Sequence, residues 1–328
     1  MSEMTYRDAI NLALKEEMRR DPLVVTWGED VALYEGSFKV TRGLLAEFGE
    51  ERVRDTPISE NTIIGVAIGA AMGGLRPVPE LMTVNFALLA MDQIINHMTK
   101  IRYMFGGQAK LPMVIRAPGG GGSQLAAQHS QSLETFFMHT PGMYVAVPST
   151  PADAKGLLKT AIRNDNPVLF LEHELLYNSK GEVPEDPEYL VPFGKCQIKK
   201  TGSDVTIVTY SRMTILALAA AEELAKEKIS CEVVDLCTLT PLDSDTFVGS
   251  IQKTGRAVVV EECWRTCGLG AEIASRIYDG CFDMLLAPVQ RVAGLDVPMP
   301  YSRKLEKLCI PQVGDIVTAV KETLSGKY

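Results

Sequence analysis

No run of basic residues interrupts this 328-residue chain, and its formal net charge is -8. Nucleic acid and anionic membrane surfaces are therefore excluded as natural partners. The apolar stretch that follows Glu60 is too short and too rich in glycine to span a bilayer. Histidine is scarce, with four residues and no metal-ligand spacing, and Cys263 and Cys267 are one residue too far apart for a Cys-x-x-Cys pair. A zinc site is not expected. The seven cysteines are odd in number and follow no disulfide framework, which points to a reducing compartment, read here as the cytoplasm. Residues 1–8 offer neither the apolar core of a secretory signal nor the acid-poor, arginine-rich character of an organelle presequence. Repeats and low-complexity segments are also missing.

What remains is the material of a globular α/β protein. A hydrophobic content of 46% over this length is enough for two domains, each with its own core. Residues 6–20 carry apolar side chains at helical spacing, stopped by Asp21-Pro22 before a strand at 23–27. A polar, glycine-bearing loop follows from Gly28 to Phe38, where open α/β sheets keep their ligands. Residues 77–84 read as a strand whose prolines suggest an edge, and 88–103 as one long helix. A βαβ unit spans 143–172. From 178 to about 201 the pattern dissolves among glycine, proline and charge. The expected division is therefore 1–185, a linker at 186–200, and a smaller α/β domain at 201–328. The glycines at 119–122 lead into no Gly-Lys-Ser/Thr, and neither they nor Gly268-Leu269-Gly270 complete a dinucleotide fingerprint.

One stretch concentrates chemical interest. Pro57 and Ser59 mark a helix start, Glu60 stands at its mouth, and the residues beyond are apolar on every side, as expected of a helix surrounded by protein. Gly65, Gly69 and Gly73 recur every four residues and so line one ridge, where another backbone can approach closely. A glutamate in a first helical turn is also favoured by the macrodipole alone. Likewise His129, just beyond the glycine loop, could be an ordinary surface histidine.

The spacing from Glu60 through the three glycines resembles the glutamate-and-glycine motif of thiamine-diphosphate enzymes. The runs TPISEN (56–61), GAAMGGLRPVPE (69–80), AAQHSQ (126–131), KGLLKTAIRNDNPV (155–168) and DVPMPY (296–301) extend the likeness over nearly the whole chain. It resembles the beta subunits of the decarboxylating components of 2-oxo acid dehydrogenases, most closely the pyruvate-acting kind. That resemblance implies a pyrimidine-binding thiamine-diphosphate fold followed by a transketolase-C-terminal-like domain. It implies that Glu60 hydrogen-bonds the cofactor's aminopyrimidine and favours its imino form, that Phe86 and Met82 flank the ring, and that His129 relays protons or stabilises charge during transfer to lipoamide. The family also binds K⁺ in a turn matching Ala161, Ile162, Asn164 and Asn166, with Met113 from the neighbouring strand. Some members carry an acidic residue where this chain has Asn164.

The family's Gly-Asp-Gly motif, which holds the diphosphate through Mg²⁺, occurs nowhere here. The resemblance accounts for this: an alpha subunit supplies that half of the site in an α2β2 heterotetramer, and the second domain serves assembly and contact with a lipoyl acyltransferase core. Beta subunits of branched-chain 2-oxo acid and acetoin dehydrogenases stay open as alternatives. So does a non-catalytic α/β scaffold or electron-carrier subunit.

Overall fold

Thr5 starts the first long helix, Tyr6–Arg20, by accepting the Asp8 amide on its hydroxyl, and Arg19 and Arg20 close it with positive charge. In the computed structural model, which describes residues 1–326, this helix packs on a second one, Pro151–Arg163, begun by a Thr150/Asp153 capping box. The contact is charged as well as apolar. Lys155 and Lys159, both without solvent access, meet Glu16, and Arg163 meets Glu17 at 2.8 Å.

By contact density the chain divides into two units, Met1–Gly119 with Phe136–Phe193, and Gly120–Thr135 with everything from Gly194 onward. The first is built on parallel strands in the spatial order Val53–Asp55, Val24–Gly28, residues 76–81, Val114–Gly119, Val168–His173 and Tyr144–Ala146. Residues 76–81 are central rather than at an edge. Their prolines are tolerated because the ladder is carried by alternate residues: Arg76, Val78 and Glu80 donate to Leu23, Val25 and Trp27, while Pro77 and Pro79 fall between them. Only Arg76–Pro77 is regular strand, so the element is also shorter than expected.

The expected helix at 88–103 is broken. Val84–Ala90 is a 3₁₀ segment, Asp92–Met98 is π-helical, and α-helix returns only at Ile101–Met104. The Thr99 hydroxyl takes the Ile95 carbonyl, and the Thr99 amide reaches one residue further back, to Ile94. That is how a side chain competing for an acceptor widens a turn. Lys180–Val183 pairs antiparallel with Ser2–Thr5, giving part of the pattern-free region a strand.

Arg116 lies in the middle of this sheet with no exposed side-chain surface. Its guanidinium donates to Glu80 at 2.6 Å on one neighbouring segment and to Glu172 at 2.7 and 2.8 Å on the other, and Tyr177 donates to Glu172 at 2.6 Å. Burial raises the Glu80 carboxyl, and the Arg116 charge opposes that rise.

The second unit carries a five-stranded sheet in the order Gln290–Gly294, Ala257–Trp264, Val205–Thr209, Cys231–Asp235 and Gln197–Lys200, the last antiparallel. Gln197–Lys200 falls at the end of the expected linker. Arg212–Lys226 and Val313–Ser325 cover one face with Met213, Ala217, Leu224, Ile316 and Val320 over Val205, Ile207, Val233 and Val258. All seven cysteines are free thiols.

Within the second unit Glu134 has a buried carboxylate oxygen that meets no hydrogen-bond partner among the described residues, as does the Tyr210 hydroxyl. Burial, then Glu262 and Glu261, push the Glu134 carboxyl up to about 8.

Two outcomes follow from these buried charges. Arg116→Met strands Glu80 and Glu172 in the interior and is expected to destabilise the first unit by roughly 3–5 kcal/mol, read from its denaturant transition; an unchanged midpoint means the bridge does not hold the sheet. For Glu134 the folded chain keeps a proton that the unfolded chain releases, so its contribution is full below the ordinary carboxylate value of 4.5 and is lost as pH rises toward about 8. Glu134→Gln should therefore melt higher than the parent at pH 8, with the gap closing toward pH 5. A pH-independent gap contradicts that titration.

Candidate active site

Three adjacent parallel elements deliver the first unit's chemistry at their carboxyl ends. Val24–Gly28 runs directly into Glu29, Val53–Asp55 leads through Pro57 to Glu60, and residues 76–81 lead to Met82 and Phe86. The carboxyl edge of a parallel sheet is where α/β folds bind ligands.

Glu60 begins the helix Glu60–Met72 and is only 4% exposed. Ser59 holds the N-cap position, but its hydroxyl bonds Thr62 Oγ1 at 2.8 Å rather than a backbone amide. The first turn is fixed from the sheet instead: Trp27 Nε1 donates to the Ile63 carbonyl at 3.2 Å. Asp55 accepts the Ala32 and Leu33 amides at 2.6 and 3.1 Å and so folds the loop after Glu29 back over the strand end.

Glu29 is the residue that motif spacing missed. It is buried, and one of its carboxylate oxygens has no hydrogen-bond partner among the described residues. Burial raises its carboxyl above the ordinary value, with the nearby Glu60 and Asp30 carboxylates adding to the effect. In the sequence, Glu29 is marked by its place directly after a buried strand, at the start of the polar Gly28–Phe38 loop.

Phe86 and Met82 are both half-buried. Phe86 sits in the segment Val84–Ala90, which packs against the helix that Glu60 begins and whose start is tied by Asn85 Nδ2 to Thr83 Oγ1 at 2.6 Å. Glu60, Met82 and Phe86 thus belong to one corner of one unit.

The glycine ridge departs from expectation. The helix stops at Met72, with Gly73 as its cap, because Gly74 takes a positive φ of 99°. It is not enclosed on all sides either. Gly65 faces the Gln93 side chain, but a Cβ on Gly69 would meet nothing within 4 Å, and Val66 beside it is 54% exposed. The apolar residues on that side have no cover within this chain among the described residues.

His129 is exposed, and the segment that carries it, Gly120–Thr135, belongs to the second unit, whereas Glu60 belongs to the first. At the Ala161, Ile162, Asn164 and Asn166 turn, which the resemblance matches together with Met113 to a cation site, Arg76 is already present. Its guanidinium donates to the Ile162 carbonyl at 2.9 Å and the Asn164 carbonyl at 3.2 Å, and pairs with Asp165 at 2.7 Å. The positive charge suited to this helix C-terminus is thus partly supplied by an arginine. Asn166 bonds Asn164 and Arg102, and the Met113 carbonyl accepts Val168. Among the described residues no cluster of His, Cys, Asp or Glu could hold a metal ion, and no helix is long and apolar enough to cross a membrane.

Comparison with known proteins identifies both domains. Residues 2–180 match the model of the transketolase pyrimidine-binding domain, and residues 194–316 that of the transketolase C-terminal domain. The chain is 51% identical over 320 residues to the pyruvate dehydrogenase E1 component subunit beta of Rickettsia felis, covering 98% of both. It is 48% identical over 327 residues to the mitochondrial pyruvate dehydrogenase E1 component subunit beta of Bos taurus, covering 98% of this chain and 91% of that one. A solved split-gene transketolase, described as an inactive beta4 tetramer, superposes with a TM-score of 0.80 at 28% identity, covering 99% of this chain and 100% of the other. With the relatives aligned from end to end and both domain models in place, the chain belongs to the family of pyruvate dehydrogenase E1 beta subunits.

Proposed function

We propose that this chain is the beta half of an acetyl-transferring pyruvate dehydrogenase, decarboxylating pyruvate and passing the acetyl group to lipoamide only when joined to an alpha subunit in an α2β2 tetramer. The observation that carries the reading is the buried Glu60 at the carboxyl edge of the sheet, next to Glu29 and on the same corner as Phe86 and Met82.

That corner fits the pyrimidine end of thiamine diphosphate: a carboxylate shielded from water, with a large apolar ring and a thioether in reach of the same strand ends. The group, when bound, supplies a carbon nucleophile and an electron sink for loss of CO₂. Glu60 would hold it by a hydrogen bond that low water access strengthens. Glu29 would place a second buried carboxyl beside that carboxylate. His129 would stabilise charge or move a proton as the acetyl group leaves for lipoamide.

The diphosphate and its Mg²⁺ need carboxylate or amide ligands, and because the sequence holds no Gly-Asp-Gly motif we assign them to the alpha subunit. The split-gene transketolase solved as an inactive beta4 tetramer supports the reading that this architecture lacks activity without a partner chain. Potassium at the Ala161–Asn166 turn would share the Ile162 and Asn164 carbonyls with Arg76. The second domain would face the lipoyl acyltransferase core. Free thiols throughout suit the cytoplasm.

Glu60→Gln preserves volume but removes the charge, so the assembled enzyme should keep its fold and lose roughly 10²-fold or more in pyruvate decarboxylation. Near-normal turnover of that variant removes Glu60 from the mechanism. His129→Ala should slow acetyl transfer to lipoamide while cofactor affinity, measured by calorimetry, stays close to the parent value. Loss of affinity with transfer intact contradicts its role.

A further inference from the structure

The segment Gly120–Thr135 follows an irregular path. Gln124 and Ala126 adopt φ of 59° and 64°, and Gly120 and Gly122 adopt 88° and 104°. Backbone in that region does not arise from strand or helix periodicity, so its conformation has to be held from outside.

Two carboxylates of the second unit hold it. Glu306, which is 1% exposed, accepts the Gly122 amide at 2.9 Å and the Gln124 amide at 3.1 Å on one oxygen, with Gln124 also 3.3 Å from the other. Glu262 accepts the Gly121 amide at 2.7 Å and the Ser132 hydroxyl at 3.4 Å, and its second oxygen takes Arg212 at 3.2 Å. Between them Gly121 sits so close to Ile310 that a Cβ would approach Ile310 Cδ1 to 2.7 Å. Hydrogen bonds from amides to ionised carboxylates are stronger than neutral ones, and buried ones are costly to break. The inward-facing amides are thus engaged by the protein's own acids.

We propose that Glu306, with Glu262 as its second anchor, is a positioning residue for His129: by fixing the amides of Gly122 and Gln124 it sets where the loop presents the histidine. This rests on the reading of His129 as a group that acts in acetyl transfer. Glu306 engages the loop through its amides, so its effect passes through the loop. A glutamine there retains one acceptor oxygen for both amides but only as a neutral, weaker partner, whereas alanine retains none.

The test is a double-mutant cycle in the enzyme assembled with its alpha subunit, using pyruvate and lipoamide, with hydrogen exchange of the peptide covering 120–135 followed alongside. Glu306→Ala should lower kcat for transfer roughly 10-fold or more, leave the affinity for thiamine diphosphate within about twofold of the parent, and speed exchange of that peptide. Glu306→Gln should fall between. Combined with His129→Ala, the alanine at 306 should add less than about a twofold further loss, because the group it positions is gone. A full multiplicative loss in the double variant, or parental transfer by Glu306→Ala despite faster exchange, overturns the proposal while leaving His129 in place. Parental transfer by His129→Ala overturns the underlying reading, and the proposal with it. If Glu306→Ala fails to assemble, the same cycle is run with Glu306→Gln and judged by the same additivity.

Discussion

A guanidinium shut off from water must find carboxylates in the same interior, and Arg116 does so by joining Glu80 on one side of its strand to Glu172 on the other. Both contacts are required, because removing either acid would leave a buried charge half compensated. Their effect is to align three neighbouring chain segments at mid-sheet. Glu80 also bridges to Gly28 through the backbone, so the strand that delivers Glu29 is registered against the segment that delivers Met82. The position of the acidic corner depends on that register.

In the proposed reading this corner serves one end of the cofactor. Glu60 and Glu29 place two carboxyls where little water reaches, and the sequence holds no Gly-Asp-Gly motif for a diphosphate's metal. The helix that starts at Glu60 buries one side against Val84–Ala90 and Asp92–Met98 and leaves Val66, Gly69 and Met72 uncovered. An apolar helix with its glycines open to solvent wastes the close approach that glycine permits. Both features fit the proposal that a second chain covers this corner.

Local signals were easy to read. The helix at 6–20 has apolar spacing, a threonine cap and terminal arginines, and it forms with those limits. Residues 143–172 read as a βαβ unit, and its helix forms at Pro151–Arg163. Glu60 stood out because a motif fixes its spacing to three glycines. What escaped was set by distant partners. Pro77 and Pro79 suggested an edge, but only the pairing pattern shows that they fall between donating residues. Apolar character on every side of the Glu60 helix says that protein surrounds it, not which chain supplies the cover, and Val66 is 54% exposed here. Arg76 reaches a turn more than eighty positions away, and Glu306 holds a loop that in the sequence is marked only by its glycines and the run around His129. No local pattern announces such contacts. That residues 120–135 belong with the second unit is likewise a matter of long-range packing.

The central claim is that this chain holds only the pyrimidine half of a shared cofactor site. Titration calorimetry of the purified chain with thiamine diphosphate and Mg²⁺ tests it most directly, repeated after addition of the alpha subunit. The chain alone should give no measurable heat, since pyrimidine contacts leave the charged diphosphate and its metal without ligands, and binding should emerge on assembly. Micromolar binding to the chain by itself would contradict the account.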